Sequence, residues 1–204
     1  MKAFNDYDTA KKAAESQGIT RLPAGAYVCK IKQVRYEKAE SADKGDRIVM
    51  AFDITEGEYK DYFQKQFDAD TNEDKKWKGR VTVWVPKDDG SEMDATTKKR
   101  FAGWTAAFES SNSGYTWDWD ETKWKDKIVG IVFGETGTVI DGKEIVYTEA
   151  RYGAPVEDVR SGKEFKTKFL TKNGYKGGNG GSGSAASDDS FMNIPAGSKE
   201  ELPF

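Results

Sequence analysis

The chain of 204 residues has no histidine, one cysteine and five prolines, and none of its apolar runs is longer than a strand. Each shortage excludes something. Without imidazole there is no histidine acid–base chemistry, no histidine-assisted nucleophile and none of the commonest zinc ligands. A single cysteine, Cys29, can form neither an internal disulfide nor a thiolate metal cluster. Between Tyr27 and Ile31 it reads as a small buried hydrophobe. The longest apolar run, Ile128 to Phe133 with Gly130 inside it, falls far short of the roughly 20 residues a membrane helix needs. The amino terminus lacks the basic start and apolar stretch of a signal peptide. These absences predict a soluble, cytoplasmic protein without catalytic activity, metal or other cofactor. Asp88, Asp89, Asp118 and Asp120 are the remaining candidates for holding magnesium, and in their Gly- and Trp-rich surroundings they read as turn residues.

Neither sign of charge dominates: 32 Lys and Arg stand against 35 Asp and Glu, a net charge of -3. Binding to a polyanion must therefore rest on local clusters. What the chain does have is aromatic residues, 13% of the total, few of them in helical patterns. That surplus belongs on strands or on a surface that uses it.

Along the chain, Asp6 to Gln17 followed by Gly18 suits a short amphipathic helix. Tyr27 to Tyr36 reads as a first strand. Ile48, Met50, Phe52 and Ile54, alternating with Val49, Ala51 and Asp53, mark a half-buried second strand. Tyr59 to Phe67 reads as an aromatic-rich strand, and Asp68 to Lys76 as a charged loop. Arg80 to Val85 alternates again until Pro86. Asp94 to Ser110 is a helix with Asp94 as N-cap and an apolar stripe of Phe101, Trp104, Ala107 and Phe108. An aromatic loop with Tyr115, Trp117, Trp119 and Trp124 precedes strands at Lys127–Phe133 and Lys143–Tyr152, joined through Gly137 and Asp141-Gly142. Strands, one helix, strands is the order of a mainly β, five-stranded OB-type Greek-key barrel, with the helix between strands three and four. Other small barrels and a β-sandwich fit the same order. The barrel domain would occupy residues 1–175. A flexible Gly/Ser linker at 176–187 and an acidic tail at 188–204 follow.

An unpaired nucleic-acid strand offers phosphates to Lys and Arg and base faces to aromatic rings. Lys75, Lys76, Trp77, Lys78 and Arg80, continuing to Trp84, have that alternating composition. The plainer alternative is a solvated loop with the tryptophan packed back on the barrel. Lys30 and Lys32 on strand one, with Arg35 and Tyr36 after them, make a second patch, and Tyr62, Arg151 and Tyr152 are further candidates. Phe52, Phe63, Phe67, Phe101, Trp104 and Phe108 are assigned to packing. The stretch from Arg160 to Lys176 is basic with Phe165, Phe169 and Tyr175 interleaved; it can extend such a track, hold the tail, or be an ordinary charged surface. On the tail, Asp188, Asp189, Glu200 and Glu201 surround an ending of Leu202, Pro203 and Phe204, which suits capture of the terminal carboxylate and Phe204 by a partner protein.

Glu200-Glu201-Leu202-Pro203-Phe204 resembles the acidic Ile-Pro-Phe ending of bacterial single-stranded-DNA-binding proteins. Leu22-Pro23-Ala24-Gly25 with Tyr27, and Glu56-Gly57-Glu58-Tyr59-Lys60, resemble a family of small bacteriophage proteins found among replication and recombination functions. The resemblance implies an OB fold, sequence-tolerant binding of single-stranded DNA, and recruitment of replication, recombination or repair proteins through the tail, in the host bacterial cytoplasm. A monomer and a homodimer both fit. The rival reading is a protein-binding or recombination-mediator module that uses the Trp-rich loop from Tyr115 to Trp124 without touching DNA.

Overall fold

A strand forms where alternate residues can be buried on one side, and three segments meet that condition early in the chain. They are β1 (Gly25–Glu37), β2 (Arg47–Ile54) and β3 (Arg80–Trp84). The computed structural model describes residues 20–41 and 44–177. Within them the chain continues through β4 (Ile128–Ile140), β5 (Lys143–Ala154) and β6 (Leu170–Thr171). The helices are α1 (Tyr62–Ala69), α2 (Glu92–Ser111) and α3 (Val156–Arg160). The result is a mainly β fold around a six-stranded sheet, not a closed barrel. Strands run in the order β3-β2-β1-β4-β5, all antiparallel, with β6 added parallel to β4. Helix α2 stands between β3 and β4, where the sequence placed it. No helix among the described residues is long and apolar enough to cross a membrane. The expected helix at Asp6–Gln17, nearly all of the linker, and the tail residues Asp188, Asp189 and Glu200 to Phe204 lie outside the described residues.

The core is the inner face of the sheet closed by α2 and the aromatic loop. Ile31, Met50, Phe52, Val81, Val83, Val129, Ile131 and Phe133 come from strands, and Phe101, Trp104 and Phe108 from α2. Trp124 is fully buried and stacks on Phe108 at 4.6 Å, a pairing worth about 1 kcal/mol beyond the area it covers. Phe52, Phe63 and Phe133 pack together at the other end. Cys29 is fully buried and its thiol is pushed well above the ordinary range by that burial, so it is inert.

Three expectations are corrected. Tyr59–Phe67 is not a strand: residues 62–69 are α1, because Tyr59, Phe63 and Phe67 repeat every four residues. The Asp53 carboxylate at the end of β2 also accepts hydrogen bonds from the amides of Phe63 and Gln64 at the helix start. Helix α2 is capped by Ser91, whose hydroxyl accepts from the Asp94 amide at 3.1 Å. Asp94 instead accepts from the Asp88 amide and pairs with Lys98 at 2.9 Å. Finally, Gly137 does not break β4. The strand continues to Ile140, and the β4–β5 connection is the two-residue turn Asp141-Gly142, with φ of 49° and 73°, as a tight hairpin with the strands' twist requires.

After α3 the chain forms a strap across the outer face of β4. A Cβ on Gly130 would sit 2.7 Å from both the Ala154 carbonyl and a Val159 methyl, and one on Gly134 would sit 3.0 Å from Thr167. Glycine lets the strap lie directly on the strand. The strap then pairs as β6 alongside Thr136 and Gly137.

Candidate nucleic-acid interface

Directly opposed residues of an antiparallel pair share a face, so strand register alone lays out the outer surface of β1, β2 and β3. Gln33, Ala51 and Arg80 form one row; Arg35, Val49 and Thr82 the next; Glu37, Arg47 and Trp84 the third. Their neighbours Val34, Met50 and Val81 point into the core. Beside the first row, the loop at 73–77 rises from the sheet. The groove between loop and sheet encloses about 680 Å³ and is lined by Arg35, Lys75, Lys76, Trp77 and Arg80, with Glu73 and Asp74 on the same wall.

One irregularity in β1 decides which cations reach this face. A bulge between Ile31 and Gln33 shifts the register, so Lys32 and Gln33 both turn outward and every later residue changes side. Lys32, outward with or without the bulge, lies over the Trp77 ring at 4.4 Å, with its ammonium 3.5 Å from Asp53. Arg35 joins the groove. Tyr36, expected beside Arg35, faces the opposite side of the sheet in register with Ile48. It is 45% exposed at the rim, with its hydroxyl donating to Asp46. That bond raises the tyrosine's pKa and lowers the carboxylate's. Simple alternation from Lys30 missed the bulge because nothing in Ile31-Lys32-Gln33 marks it.

The two tryptophans stand at opposite ends of the strip and differ in kind. Trp84 is 47% exposed, with the Arg47 guanidinium 6.0 Å from its ring. Trp77 is half-buried: its indole N–H donates to the carbonyls of Phe52 and Gly79, both at 3.1 Å, and Phe67 packs at 5.7 Å. Trp77 is thus both packing and groove wall, while Trp84 has a ring available for stacking. Lys75 lies over Phe67 at 4.5 Å. Glu37 sits between Arg35 and Arg47 and binds both, at 2.6 and 2.7 Å. Arg47 first, then Arg35, holds its carboxyl below the usual range against a partial desolvation cost.

Other expected site residues lie elsewhere. Tyr62 is 9% exposed; its hydroxyl accepts from the Leu22 amide and donates to the Thr20 carbonyl, so it is a core residue that fastens the start of the described chain. Arg151 lies half-buried under the strap, donating to Glu149, the Glu135 carbonyl and Thr136, and is structural. Tyr152 is on β5, away from the β1–β3 face, with its hydroxyl donating to the Lys166 carbonyl. Lys30 pairs with Asp126 at 3.3 Å beside the start of β4. Lys78 faces a neighbouring hollow with Asp70, Asn72, Glu73, Asp74 and Lys76 and does not line the groove. Asp88 and Asp118 are paired with Lys98 and Lys123, and Asp120 accepts from the Thr122 amide, so these acids hold turns. Among the described residues no group of acids, cysteine or histidine is arranged to hold a metal. The residues that sequence reasoning missed are Gln33 and Arg47, and also Val49, Ala51 and Thr82, the floor of the strip. The period-two pattern of β2 contained Val49 and Ala51 as the non-core face, but only pairing shows what they lie beside.

No family model matches the chain, and the search of curated proteins finds none similar to it.

Proposed function

We propose that this chain binds single-stranded DNA without strong sequence preference, laying the strand along the outer face of β1, β2 and β3. The observation that carries the reading is the strip itself: Arg35 and Arg80 over a low floor of Val49, Ala51 and Thr82, with Trp77 at one end and Trp84 at the other. Cations can pair with phosphates while an exposed ring stacks on a base, worth roughly 1 to 3 kcal/mol per base. A face of this chemistry suits unpaired strands better than duplex, whose base faces are already stacked.

An OB-type barrel is the finer fold we propose. In its favour, β1 is central and pairs with both β2 and β4, α2 falls between β3 and β4, and β3 and β5 at the two ends of the path approach each other without pairing. Such barrels bind oligonucleotides on the strand face identified above. We further propose that the protein acts in the cytoplasm without catalysis, and that its Leu202-Pro203-Phe204 ending recruits replication, recombination or repair proteins, as the resemblance implies.

Titration with oligo-dT, read by tryptophan fluorescence, tests the central reading. Quenching is expected, with an affinity that falls as salt rises by a logarithmic slope of about -0.7 per phosphate contacted. An unchanged signal at low salt overturns it. Deleting Glu200 to Phe204 should leave the affinity equal or higher, because an anionic tail competes with phosphate for the same cations. A marked loss of DNA binding counts against a recruiting tail.

The rival reading, a protein interface on the Trp-rich loop, is favoured by one observation. Trp117 and Trp124 turn inward, but Trp119 is 80% exposed.

A further inference from the structure

The Trp119 turn and the end of the strap are two surface patches that the proposed DNA face leaves unused. Trp119 adopts a left-handed backbone, φ 67°, which costs a residue other than glycine about 1 kcal/mol or more. Its ring lies parallel to Phe101 at 6.4 Å and beside Trp117 at 6.0 Å, with the outer side open. A solvent-facing tryptophan beside other aromatic rings has the character of an interface anchor. Asp118, Asp120 and Glu121 flank it; Lys123 pairs with Asp118 and Asp120, and with Lys125 the acids between residues 118 and 125 outnumber the bases by three to two. The patch is therefore acidic, which disfavours phosphate and favours a basic, partly apolar surface.

The strap carries that surface. Lys166 and Lys168 are exposed on alternate positions and have no ion-pair partner among the described residues, while Lys163 and Lys172 are engaged by Asp158 and Glu149. Directly after them Phe169 and Leu170 are 46% and 41% exposed. The two patches lie far apart along β4, one before its start and one beside Thr136 and Gly137. Trp124, packed on Trp117, leads into Ile128, and Leu170 pairs with Thr136 eight residues later, about 26 Å along the strand at 3.3 Å per residue. Within one molecule they cannot meet; between molecules they are complementary in charge and both supply apolar area.

We propose that the Trp119 turn of one molecule docks on the Lys166–Leu170 strap of a second copy of this chain, head to tail. Unlike a two-fold pairing, such a contact leaves one patch free at each end and propagates. Two small patches bury less than a stable interface requires, so the contact is weak in free solution and strengthens when two molecules share one tether. It needs no nucleic acid and stands independently of the DNA reading.

Sedimentation of the full chain without DNA, over a range of concentration, tests this. Mass should rise with concentration without levelling at a dimer, and less so in high salt. Trp119→Ala and the double variant Lys166→Glu/Lys168→Glu should each weaken association about tenfold or more, with unchanged thermal melts because all three side chains are exposed. The decisive arm mixes the two variants. One retains an intact strap and the other an intact turn, so the mixture should form one-to-one dimers and stop. No association of the wild-type chain, a plateau at the dimer, variants that associate like wild type, or a mixture that stays monomeric would each overturn the proposal. If the acidic tail of another copy rather than the turn docks on the strap, Trp119→Ala associates like wild type and deleting residues 188–204 abolishes association, which overturns the proposal.

Discussion

Two stretches of the same outer sheet surface meet opposite fates. Over β4 the chain lays α3 and its own strap, because Gly130 and Gly134 present no side chains, so that Val159 of α3 and Thr167 of the strap can settle against the backbone. Over β1, β2 and β3 the surface stays open, because its rows carry Arg35, Arg47, Arg80 and Trp84, which cannot be buried under a strap without large desolvation costs. Between these large side chains the floor is Val49, Ala51 and Thr82, low enough to leave a groove. What separates a covered face from an open face is thus a matter of side-chain size and charge on one continuous sheet, and each can be altered separately.

The largest effect is expected where the covered face is closest. Gly130→Ala places a methyl 2.7 Å from a carbonyl oxygen that belongs to β5 and cannot move without breaking the ladder. The cost should be about 3 kcal/mol, a fall in melting temperature of roughly 6 to 12 °C for a chain of this size. Gly103→Ala is the control of opposite sign. Gly103 lies inside α2 with open space where a Cβ would go, so alanine should stabilise by up to about 1 kcal/mol. Equal melts for the two variants would mean that β5 and α3 do not press on β4 at Gly130.

The tryptophans break the open face in two distinguishable ways. Trp84→Ala should weaken oligo-dT binding by roughly 1 to 3 kcal/mol and change stability by less than about 0.5 kcal/mol, as exposed positions do. Trp77→Ala should lower both affinity and stability, the latter by about 2 kcal/mol, because it removes a half-buried ring and two hydrogen bonds. Urea melts beside fluorescence titrations separate the cases. A Trp84 variant that binds normally would remove the stacking platform from the proposed site.

How far the sequence foretold this face depends on what each inference needed. The alternation in β2 and β3 was legible because it follows from one strand's own pattern, and so was the apolar stripe of α2. Helix α1 was misread because four aromatic residues in nine suggest strand propensity, although Tyr59, Phe63 and Phe67 keep a helical spacing. Of Arg35 and Tyr36 only one can share the face of Lys30; alternation alone selects Tyr36, and the bulge at Lys32, a property of pairing with β2, selects Arg35 instead. Arg151 and Tyr62 have the composition of ligand-binding residues, and only tertiary contacts show that their polar groups are already occupied. The strap was invisible for the same reason: Gly137, read as a break, is a point of close approach to Tyr175, and Gly134 lies under Thr167.

The smallest effect concerns the carboxylate that divides the cations of the open face. Glu37 binds Arg35 and Arg47 together, and its pKa is lowered by them from 4.5. A depressed carboxyl contributes stability that is complete above its unfolded pKa and lost as the pH falls through the folded one. The pair lies at the surface, so the contribution stays below about 1 kcal/mol. Glu37→Gln should therefore cost a few tenths of a kcal/mol at pH 7, on the order expected for exposed pairs, and remove that part of the acid-side decline. For binding the sign reverses. Released from Glu37, the two guanidinium groups can turn to phosphate, so the variant should hold oligo-dT more tightly, with a steeper dependence on salt. A variant that binds less tightly would show instead that Glu37 is needed to aim Arg35 along the groove, making it a positioning residue rather than a competitor of the strand.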